Sequence, residues 1–260
     1  MDKKIIMILE DSAYARMVYA SLKNDFNIDH IIIDNGQGFL KLLKKRIKKL
    51  GVIHVIGQVL FRIILVPYIN FSAKDRIANI LEVNDIKDTT IEKNKFTAVK
   101  SVNSDEGHEL LIKLNPDIVI IVSHRILSKK TLELTKAKFI NIHAGITPIY
   151  RGLHGGYWAL INKDTEHCGV TVHFVDEGID TGNILYQDII TDSINSKDNF
   201  MTYTYLQLAK ALPLLKKAIR DIQSNNAIPK VSAKHQINNK LFFHPTLWFY
   251  LYYKWFKGVK

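Results

Sequence analysis

The sequence predicts an α/β fold with a doubly wound, mostly parallel, Rossmann-like sheet, a helical insertion and a C-terminal helical and aromatic extension. Two observations predict the sheet. Short apolar runs alternate with helix-forming segments along much of the chain, which is typical of a sheet with helices on both faces. The run PDIVIIV at 116–122 is nearly all β-branched, as expected of a central parallel strand covered on both sides.

Length and composition support a folded protein with a large core. The chain has 260 residues, of which 47% are hydrophobic and 23% charged, enough for one large domain or one domain with an appendage. The net charge of +11 favours anionic partners. Cys168 is the only cysteine, so no intramolecular disulfide can form, and a cytoplasmic location is expected, with membrane association as an option.

The elements can be placed in order along the chain. The apolar run at 4–9 is too short for a signal peptide and predicts a first strand. Asp11 and Ser12 then mark a turn before a helix at 13–22. Further strands are predicted at 30–33, 116–122, 139–142, 170–175 and 184–186. Further helices are predicted at 109–114 and 157–162, the second after a loop at 145–156 that contains Gly and Pro.

The segment at 36–81 interrupts this alternation and reads as a basic and apolar helical insertion. Within it, residues 50–66 are apolar except for His54, Gln58 and Arg62, which at i, i+4 and i+8 predict one polar stripe on a helix. These interruptions disfavour a membrane-spanning helix. Packing against the domain or a sister subunit is favoured. The alternative is a helix in a membrane interface, with the lysine-rich run at 41–49 touching anionic lipid.

The tail at 241–260 interleaves aromatic and basic residues. Such a pattern suits a membrane interface, a dimer interface or a cover for the sheet, and packing is favoured. We assign residues 1–205 to a catalytic domain that includes the insertion, and residues 206–260 to a C-terminal extension.

Polar residues meet at the predicted carboxyl end of one strand. Asn141 and His143 are two apart, so both side chains point to the same side. The acidic turn at 176–182, which contains Asp180, follows the next strand, and parallel neighbouring strands would bring it beside them. An amide, an imidazole and a carboxylate suffice for acyl transfer to an amine, because the first two stabilise an oxyanion and the imidazole moves a proton.

Each of these residues also has a structural explanation. A histidine at a strand end is often structural, an asparagine there can cap a turn, and Asp180 can be an ordinary residue of a Gly-rich loop. Spacing alone leaves these alternatives open.

Three sequence blocks nevertheless resemble the formyltransferase family, which includes glycinamide ribonucleotide, methionyl-tRNA and sugar N-formyltransferases. The blocks are NIH at 141–143, PIYRG at 148–152 and GVTVHFVDEGIDTGNILYQ at 169–187. The resemblance covers 116–192 well and the first 35 residues loosely. It implies formyl transfer from 10-formyltetrahydrofolate to an amine, without a metal.

The resemblance also implies roles for individual residues. It assigns catalysis to Asn141, His143 and Asp180. The backbone of two segments would hold the pterin of the folate: Arg125, Ile126 and Leu127 from the first, and Val175, Asp176, Glu177, Gly178 and Ile179 from the second. A substrate loop containing Tyr150, Arg151, Gly152 and His154 would close over the folate and the acceptor.

The acceptor amine is inferred by elimination. Glycinamide ribonucleotide enzymes carry a Gly/Ser-rich phosphate loop after the first strand, whereas this chain has Glu10 and Asp11 there. Methionyl-tRNA enzymes carry a C-terminal β-barrel domain, whereas the segment after Asp180 here reads as helical and aromatic. A nucleotide-linked amino sugar therefore remains the favoured acceptor, and the basic insertion and aromatic tail also fit a lipid-linked sugar.

Other functions are compatible with parts of the sequence. The same three residues could release formate with water as acceptor, or formylate another amine such as methionyl-tRNA. A non-enzymatic chain could bind RNA or membrane through the lysine-rich run at 41–49. His143, His154 and His173 could hold a metal, although they lack a compact ligand spacing. The expected partners are folate, the amine substrate and a homodimer or membrane contact, with nucleic acid disfavoured.

Overall fold

A computed structural model describes residues 3–36, 39–123, 125–231 and 240–260, and shows a seven-stranded sheet with helices on both faces. In chain order the strands are β1 (Ile5–Leu9), β2 (Ile28–Asp34), β3 (Phe96–Val99), β4 (Ile118–Val122), β5 (Lys138–His143), β7 (Gly169–Phe174) and β8 (Ile184–Ile189). A separate pair is formed by β6 (Arg151–Gly152) and β9 (Leu241–Phe242). The large sheet has the order β3-β2-β1-β4-β5-β7-β8, and its first five strands run parallel. The predicted fold class is confirmed.

The helices account for most of the remaining chain. They are α1 (Ala13–Leu22), α2 (Phe39–Leu50), α3 (Val52–Leu60), α4 (Val66–Val83), α5 (Asp105–Leu114), α6 (Lys129–Glu133), α7 (Gly155–Ile161), α8 (Phe200–Gln223) and α9 (Leu247–Lys257). A π-helical turn (Phe61–Leu65) joins α3 to α4 without a break. The predicted helix at 13–22 is confirmed by α1, which begins where the Ser12 side chain accepts a hydrogen bond from the backbone N–H of Ala15.

The two faces of the sheet bury alternate residues of each strand. Met7 on β1 belongs to a core cluster that includes residues of α1 and α8, whereas Ile8 belongs to a cluster on the other face with Leu111 of α5. All residues of β1 and β4 are buried, which explains why their sequences are apolar without alternation.

One topological expectation is wrong. We expected β7 to run parallel to β5, but the two strands pair antiparallel, with Asn141 opposite His173 and His143 opposite Thr171. The chain therefore leaves β7 beside the amino end of β5, where the N–H of Val175 donates to the carbonyl of Phe139. The turn at 176–182 must run back along β5 to reach the carboxyl end of that strand.

The insertion is helical as predicted, but its polar stripe is not a shared solvent face. Gln58 is buried and donates through Nε2 to the carbonyl of His244 at 2.7 Å, whereas His54 and Arg62 are exposed. Gln58 lies between the other two on the helix surface, and it is buried because the tail covers it at His244. Residues Gln37 and Gly38 of the insertion lie outside the described residues.

The extension is joined to the domain by continuous structure. The boundary that we drew at residue 205 falls inside α8, which begins with a capping box at Asn199 and Thr202. A third core cluster contains Phe61 of the insertion, Tyr157 and Phe200 of the domain, and Tyr250 of α9. The insertion and the tail therefore pack on each other and on the same part of the domain.

Candidate active site

The carboxyl end of β5 brings two of the predicted catalytic residues together, and Asp180 reaches them from the turn after β7. His143 Nδ1 lies 3.3 Å from Asp180 Oδ2, and His143 is 5% exposed. Its other ring nitrogen, Nε2, lies 2.6 Å from the backbone carbonyl of Tyr150. A carbonyl only accepts hydrogen bonds, so Nε2 must carry a proton. Both ring nitrogens therefore face acceptors, the Tyr150 carbonyl on one side and the Asp180 carboxylate on the other.

His173 is a second buried imidazole at the same place. Its Nδ1 lies 2.7 Å from the carbonyl of Phe174, so Nδ1 carries the proton and Nε2 is the acceptor. Asn141 Nδ2 lies 3.4 Å from that Nε2 and donates to it. Burial lowers the pKa of His173 below its ordinary 6.5, against the opposing effect of the Asp180 charge, and so favours the neutral ring that this pattern requires.

The contact with His173 orients the amide of Asn141. An asparagine amide has two N–H groups, and His173 takes one of them. The second N–H is left to donate elsewhere, and Asn141 is partly exposed, so a bound molecule can reach it.

Asp180 links His143 to the predicted substrate loop. Its backbone lies in the left-handed region with φ of 52°, which aspartate tolerates better than most residues. Its Oδ2 accepts from the backbone N–H of Gly152 at 2.9 Å, while the Arg151 Nε donates to the carbonyl of Ile179 at 2.8 Å. The acidic turn and the loop therefore hold each other in register beside His143.

The predicted substrate loop also contacts the C-terminal tail. Arg151 and Gly152 form β6, which pairs with Leu241 and Phe242 of β9. His154 Nε2 lies 2.9 Å from His244 Nδ1. The tail thus forms one wall of the loop, a feature that the sequence did not indicate.

The two segments that we expected to hold the pterin lie next to each other. Leu127 is buried in the cluster against which Val175 packs, and Lys129 Nζ lies 3.3 Å from Glu177 Oε1. Ile126 is 54% exposed. The two segments are therefore close together, and the first of them presents the exposed apolar side chain of Ile126.

The first of these segments is anchored by a buried ion pair. Arg125 Nε donates to Asp34 Oδ2 at 2.8 Å, at the carboxyl end of β2. Burial raises the pKa of Asp34, but the hydrogen bonds from Arg125 and from the N–H groups of Val102 and Gly36 outweigh it and hold the pKa below its usual range. The side chain of Arg125 therefore fixes the segment, and only its backbone remains for a ligand. His124 lies outside the described residues.

The turn after β1 is poorly suited to a phosphate. The Ser12 side chain already caps α1, and Asp11, whose carboxylate pairs with Arg16 at 3.2 Å and is 76% exposed, lies in front of that helix end. A negative side chain there would repel a second anion. As for a metal, the residues that the structure describes contain no group of three or more His, Cys, Asp or Glu that could hold one.

The contact between His173 and Asn141 was not predicted from the sequence, because we considered His173 only as a metal ligand. Side chains alternate along a strand, so Thr171 and His173 of β7 point to the same side. This spacing could have indicated that His173 belongs to the site. Thr171 Oγ1 donates to the carbonyl of Gly145 at 2.8 Å and so supports the start of the loop.

Comparison with known proteins places these features in a wider group. A family model described as Formyl transferase matches residues 64–205, more than half of the chain. A methionyl-tRNA formyltransferase of Finegoldia magna is 40% identical over 92 residues, which cover 35% of this chain and 29% of the relative. A GDP-perosamine N-formyltransferase of Brucella melitensis is 32% identical over 126 residues, 48% of this chain and 47% of the relative. The chain thus spans less than half the length of these relatives.

Solved structures share the fold at low identity. A sugar N-formyltransferase from a Shewanella species superposes with a TM-score of 0.55 and 17% identity, covering 92% of this chain and 77% of the other. Glycinamide ribonucleotide transformylase 1 from Symbiobacterium toebii superposes with a TM-score of 0.57 and 16% identity, covering 88% and 94%. At such identities the likeness shows a common fold.

Proposed function

The chain belongs to the formyl transferase family, and on this premise we propose that it transfers a formyl group from 10-formyltetrahydrofolate to the primary amine of a nucleotide-linked amino sugar. The observation that carries the reaction type is the cluster of His143, Asp180 and Asn141 at the end of β5, with Nδ1 of the histidine 3.3 Å from the carboxylate. Family membership and this cluster together support acyl transfer to nitrogen.

The geometry suggests a chemical role for each of these side chains. The amine attacks the formyl carbon, a carbon–nitrogen bond forms, and the formyl oxygen becomes an oxyanion. The Nε2–H of His143 already reaches a carbonyl oxygen, that of Tyr150 at 2.6 Å, which stands where the formyl oxygen would bind. The second N–H of Asn141 would be the other donor to the oxyanion. When the bond to the folate nitrogen breaks, the proton lost by the amine passes to that nitrogen through His143.

The tight Tyr150 contact implies that the substrate loop moves during the reaction. The carbonyl of Tyr150 has to leave Nε2 before a formyl oxygen can take its place. The loop is held by Asp180 and by β9, so we propose a short displacement within this frame rather than an unfolding of the loop.

Two observations support the amino sugar as acceptor. One of the curated relatives is named as acting on a GDP-linked sugar. The turn after β1 presents the carboxylate of Asp11 and a helix end that is already capped, which disfavours a glycinamide ribonucleotide phosphate there. The methionyl-tRNA formyltransferases among the relatives support the same reaction type with a different amine, and formate release by water remains the second alternative.

The test is a panel of acceptors incubated with 10-formyltetrahydrofolate. We expect one or more nucleotide-linked amino sugars to gain a formyl group by mass spectrometry, with equimolar formation of tetrahydrofolate. Transfer to methionyl-tRNA and to no sugar would overturn the acceptor. Formate release at the same rate with and without an amine would show a hydrolase instead.

Substitutions test the roles of the three side chains. We expect His143→Ala to lower the transfer rate by about 10²–10⁴ and Asn141→Ala by about 10²–10³, with folate binding retained. Asp180→Asn should also lose activity, whereas the exposed Asp192→Asn should not. Removal of one hydrogen-bond donor to the oxyanion should slow transfer by much more than about twofold. A transfer rate within a factor of about two of wild type in any of the first three variants would therefore refute the role assigned to that residue.

A further inference from the structure

The insertion presents a second apolar face that the described chain leaves largely exposed, although Leu43 and Ile47 of α2 line a pocket with Ile56 and Leu60. The side chains of Ile53, Ile56 and Ile63 are 76, 50 and 67% exposed, and Phe71 is 79% exposed. Their positions recur at helical spacing along one side of α3 and α4. Beyond residue 71 most outward positions are polar, as at Lys74 and Glu82, and Val83 at the helix end is an isolated exposed apolar residue. The exposed apolar surface is therefore confined to the first two thirds of this helix.

The opposite face of the same helix is fixed to the domain along its length. Gln58 bonds to the tail, and Phe61 is fully buried with its ring centroid 5.1 Å from that of Phe200. Further on, Arg76 Nε pairs with Asp198 at 2.9 Å. A helix that is apolar on both sides is normally buried on both, so the uncovered side implies a partner.

The helix α9 continues this surface. The Trp248 indole packs directly over Gly57, and Lys254 Nζ lies 5.8 Å from the ring centroid of Tyr68, so α9 runs beside α3 and α4. Its outward residues at i, i+4, i+7 and i+8 are aromatic and are 46–72% exposed: Trp248, Tyr252, Trp255 and Phe256. We call this surface the aromatic face and define it by Ile53, Ile56, Leu60, Ile63, Ile64, Tyr68, Phe71, Trp248, Tyr252, Trp255 and Phe256.

Charge narrows the choice of partner. Residues 35–74 contain eight Lys or Arg and no Asp or Glu, and residues 240–260 contain four Lys and again no acidic residue. Lys44, Lys48 and Lys257 are among the exposed ones. A second copy of the chain would bring the same basic, acid-free segments to this face. A surface with negative charge and an apolar interior is complementary to both features.

The composition of the face matches a bilayer interface. Trp and Tyr prefer the boundary between lipid headgroups and acyl chains because their rings are apolar and their N–H or O–H groups are polar. Lysines beside such residues are attracted to anionic headgroups. We propose that the aromatic face docks on an anionic lipid bilayer, with α3 and α4 lying in the plane of the membrane surface.

The contacts of the buried face favour an in-plane position. By length and composition the continuous helix Val52–Val83 could cross a membrane, and it is the one helix of this kind among the residues that the structure describes. Crossing would detach Phe61 from Phe200 and would carry Arg62 into the hydrocarbon. An in-plane helix keeps Phe61 packed on Phe200 and buries only the uncovered side.

Vesicle co-sedimentation of the full chain tests the proposal. The protein should bind phosphatidylcholine vesicles that contain roughly one third phosphatidylserine, bind pure phosphatidylcholine far less, and be released by high salt. The variant Ile63→Glu/Trp255→Glu should bind at least about tenfold more weakly. The matched control Ile112→Glu/Ile228→Glu changes side chains that are 54 and 87% exposed outside this face, and it should bind like wild type.

A charge variant and two further outcomes complete the test. Lys44→Gln and Lys48→Gln should each weaken binding to the anionic vesicles by about fivefold. Equal binding by the aromatic-face variant and its control would overturn the proposal. The proposal would also be overturned if the protein formed a dimer without lipid, if the aromatic-face variant lost this dimer, and if the dimer did not bind vesicles. The aromatic face would then be the contact surface between two copies of the chain. Retention in vesicles after an alkaline wash would overturn the in-plane position and show a spanning helix.

Discussion

Asn141 and His173 form a pair in which each side chain fixes the orientation of the other. The imidazole donates its N–H to the Phe174 carbonyl and so offers Nε2 to the Asn141 amide. Without that acceptor the amide could rotate, and its free N–H would no longer point into the crevice beside His143. His173 is therefore a positioning residue under the proposed mechanism.

We predict that His173→Ala lowers kcat by about tenfold while the KM for folate changes little, because loss of an orienting partner costs about this much. His173→Gln should recover most of the loss, since a glutamine carbonyl can accept from Asn141. Steady-state kinetics of the two variants check this. Equal losses in both would indicate that the ring fills space and does not orient the amide.

The same residue predicts a pH dependence of stability. Burial lowers the pKa of His173 in the folded protein below 6.5, so the unfolded chain binds its proton first as the pH falls. Stability from this group is therefore lost on going from pH 7.5 to 5.5. We expect wild type to lose up to about 1.4 kcal/mol relative to His173→Gln over this range, measured by urea unfolding. If the free energies of unfolding of wild type and His173→Gln changed with pH in parallel, this prediction would be wrong.

Some of these site residues could be predicted from the sequence, but the contact made by His173 could not. Asn141, His143 and Asp180 came from a motif, and the structure brings them together. The contact between Asn141 and His173 could not be predicted, because it depends on the register of two antiparallel strands that we expected to be parallel.

At the scale of elements, the pair β6–β9 gives the substrate loop its shape. Gly152 has φ of 97°, and a Cβ on it would collide with the backbone carbonyl of Phe242. The N–H of the same glycine donates to Asp180. A glycine is required here both for its backbone conformation and for the close approach of another strand.

We predict that Gly152→Ala lowers kcat/KM at least about tenfold and costs about 1–3 kcal/mol of stability. Gly51→Ala is the matched control, since Gly51 also has a positive φ, of 82°, but a Cβ added to it would meet no atom within 4 Å. It should cost about 1 kcal/mol and leave activity unchanged. If the two substitutions changed kcat/KM equally, the contact with β9 would have no role in shaping the site.

Element prediction succeeded where the pattern was long and failed where it was short. The strand at 116–122 and the helix at 13–22 were found because buried β-branched residues and an N-cap mark them. The two-residue strands β6 and β9 carry no periodicity at all. Strand β3 was missed because most of its residues are only partly buried and lie at the sheet edge.

On the scale of the whole molecule, one core cluster joins three regions distant in sequence. Phe61 of the insertion and Tyr250 of the tail have ring centroids 5.2 Å apart, and both pack near Tyr157 of the domain. Cys168 is fully buried in the same cluster, where burial raises its pKa to about 12. The thiol is therefore unreactive unless this cluster opens.

We predict that Tyr250→Ala costs about 3–5 kcal/mol, because the side chain is 1% exposed. Labelling of Cys168 by a thiol reagent should become at least about a hundredfold faster, since opening becomes more frequent by that factor. Trp255→Ala, at a position 69% exposed, should change neither quantity when lipid is absent. Unchanged labelling in Tyr250→Ala would mean that the tail opens independently of the cluster.

The arrangement of these regions was only partly predictable. The apolar composition of 50–66 and of the tail indicated packing, but both segments are apolar on more than one side. Which side faces the domain depends on partners far away in sequence, such as Gly57 beneath Trp248. Composition alone therefore left packing and membrane contact as open alternatives.

The pairing of Gly152 with Phe242 also has a consequence for biosynthesis. His154 and His244 are 90 residues apart along the chain, and the loop between β5 and α7 is shaped by residues that the ribosome adds much later. The central sheet can form while the nascent chain still lacks β9. We therefore expect the domain to fold before β9 completes the loop beside His143.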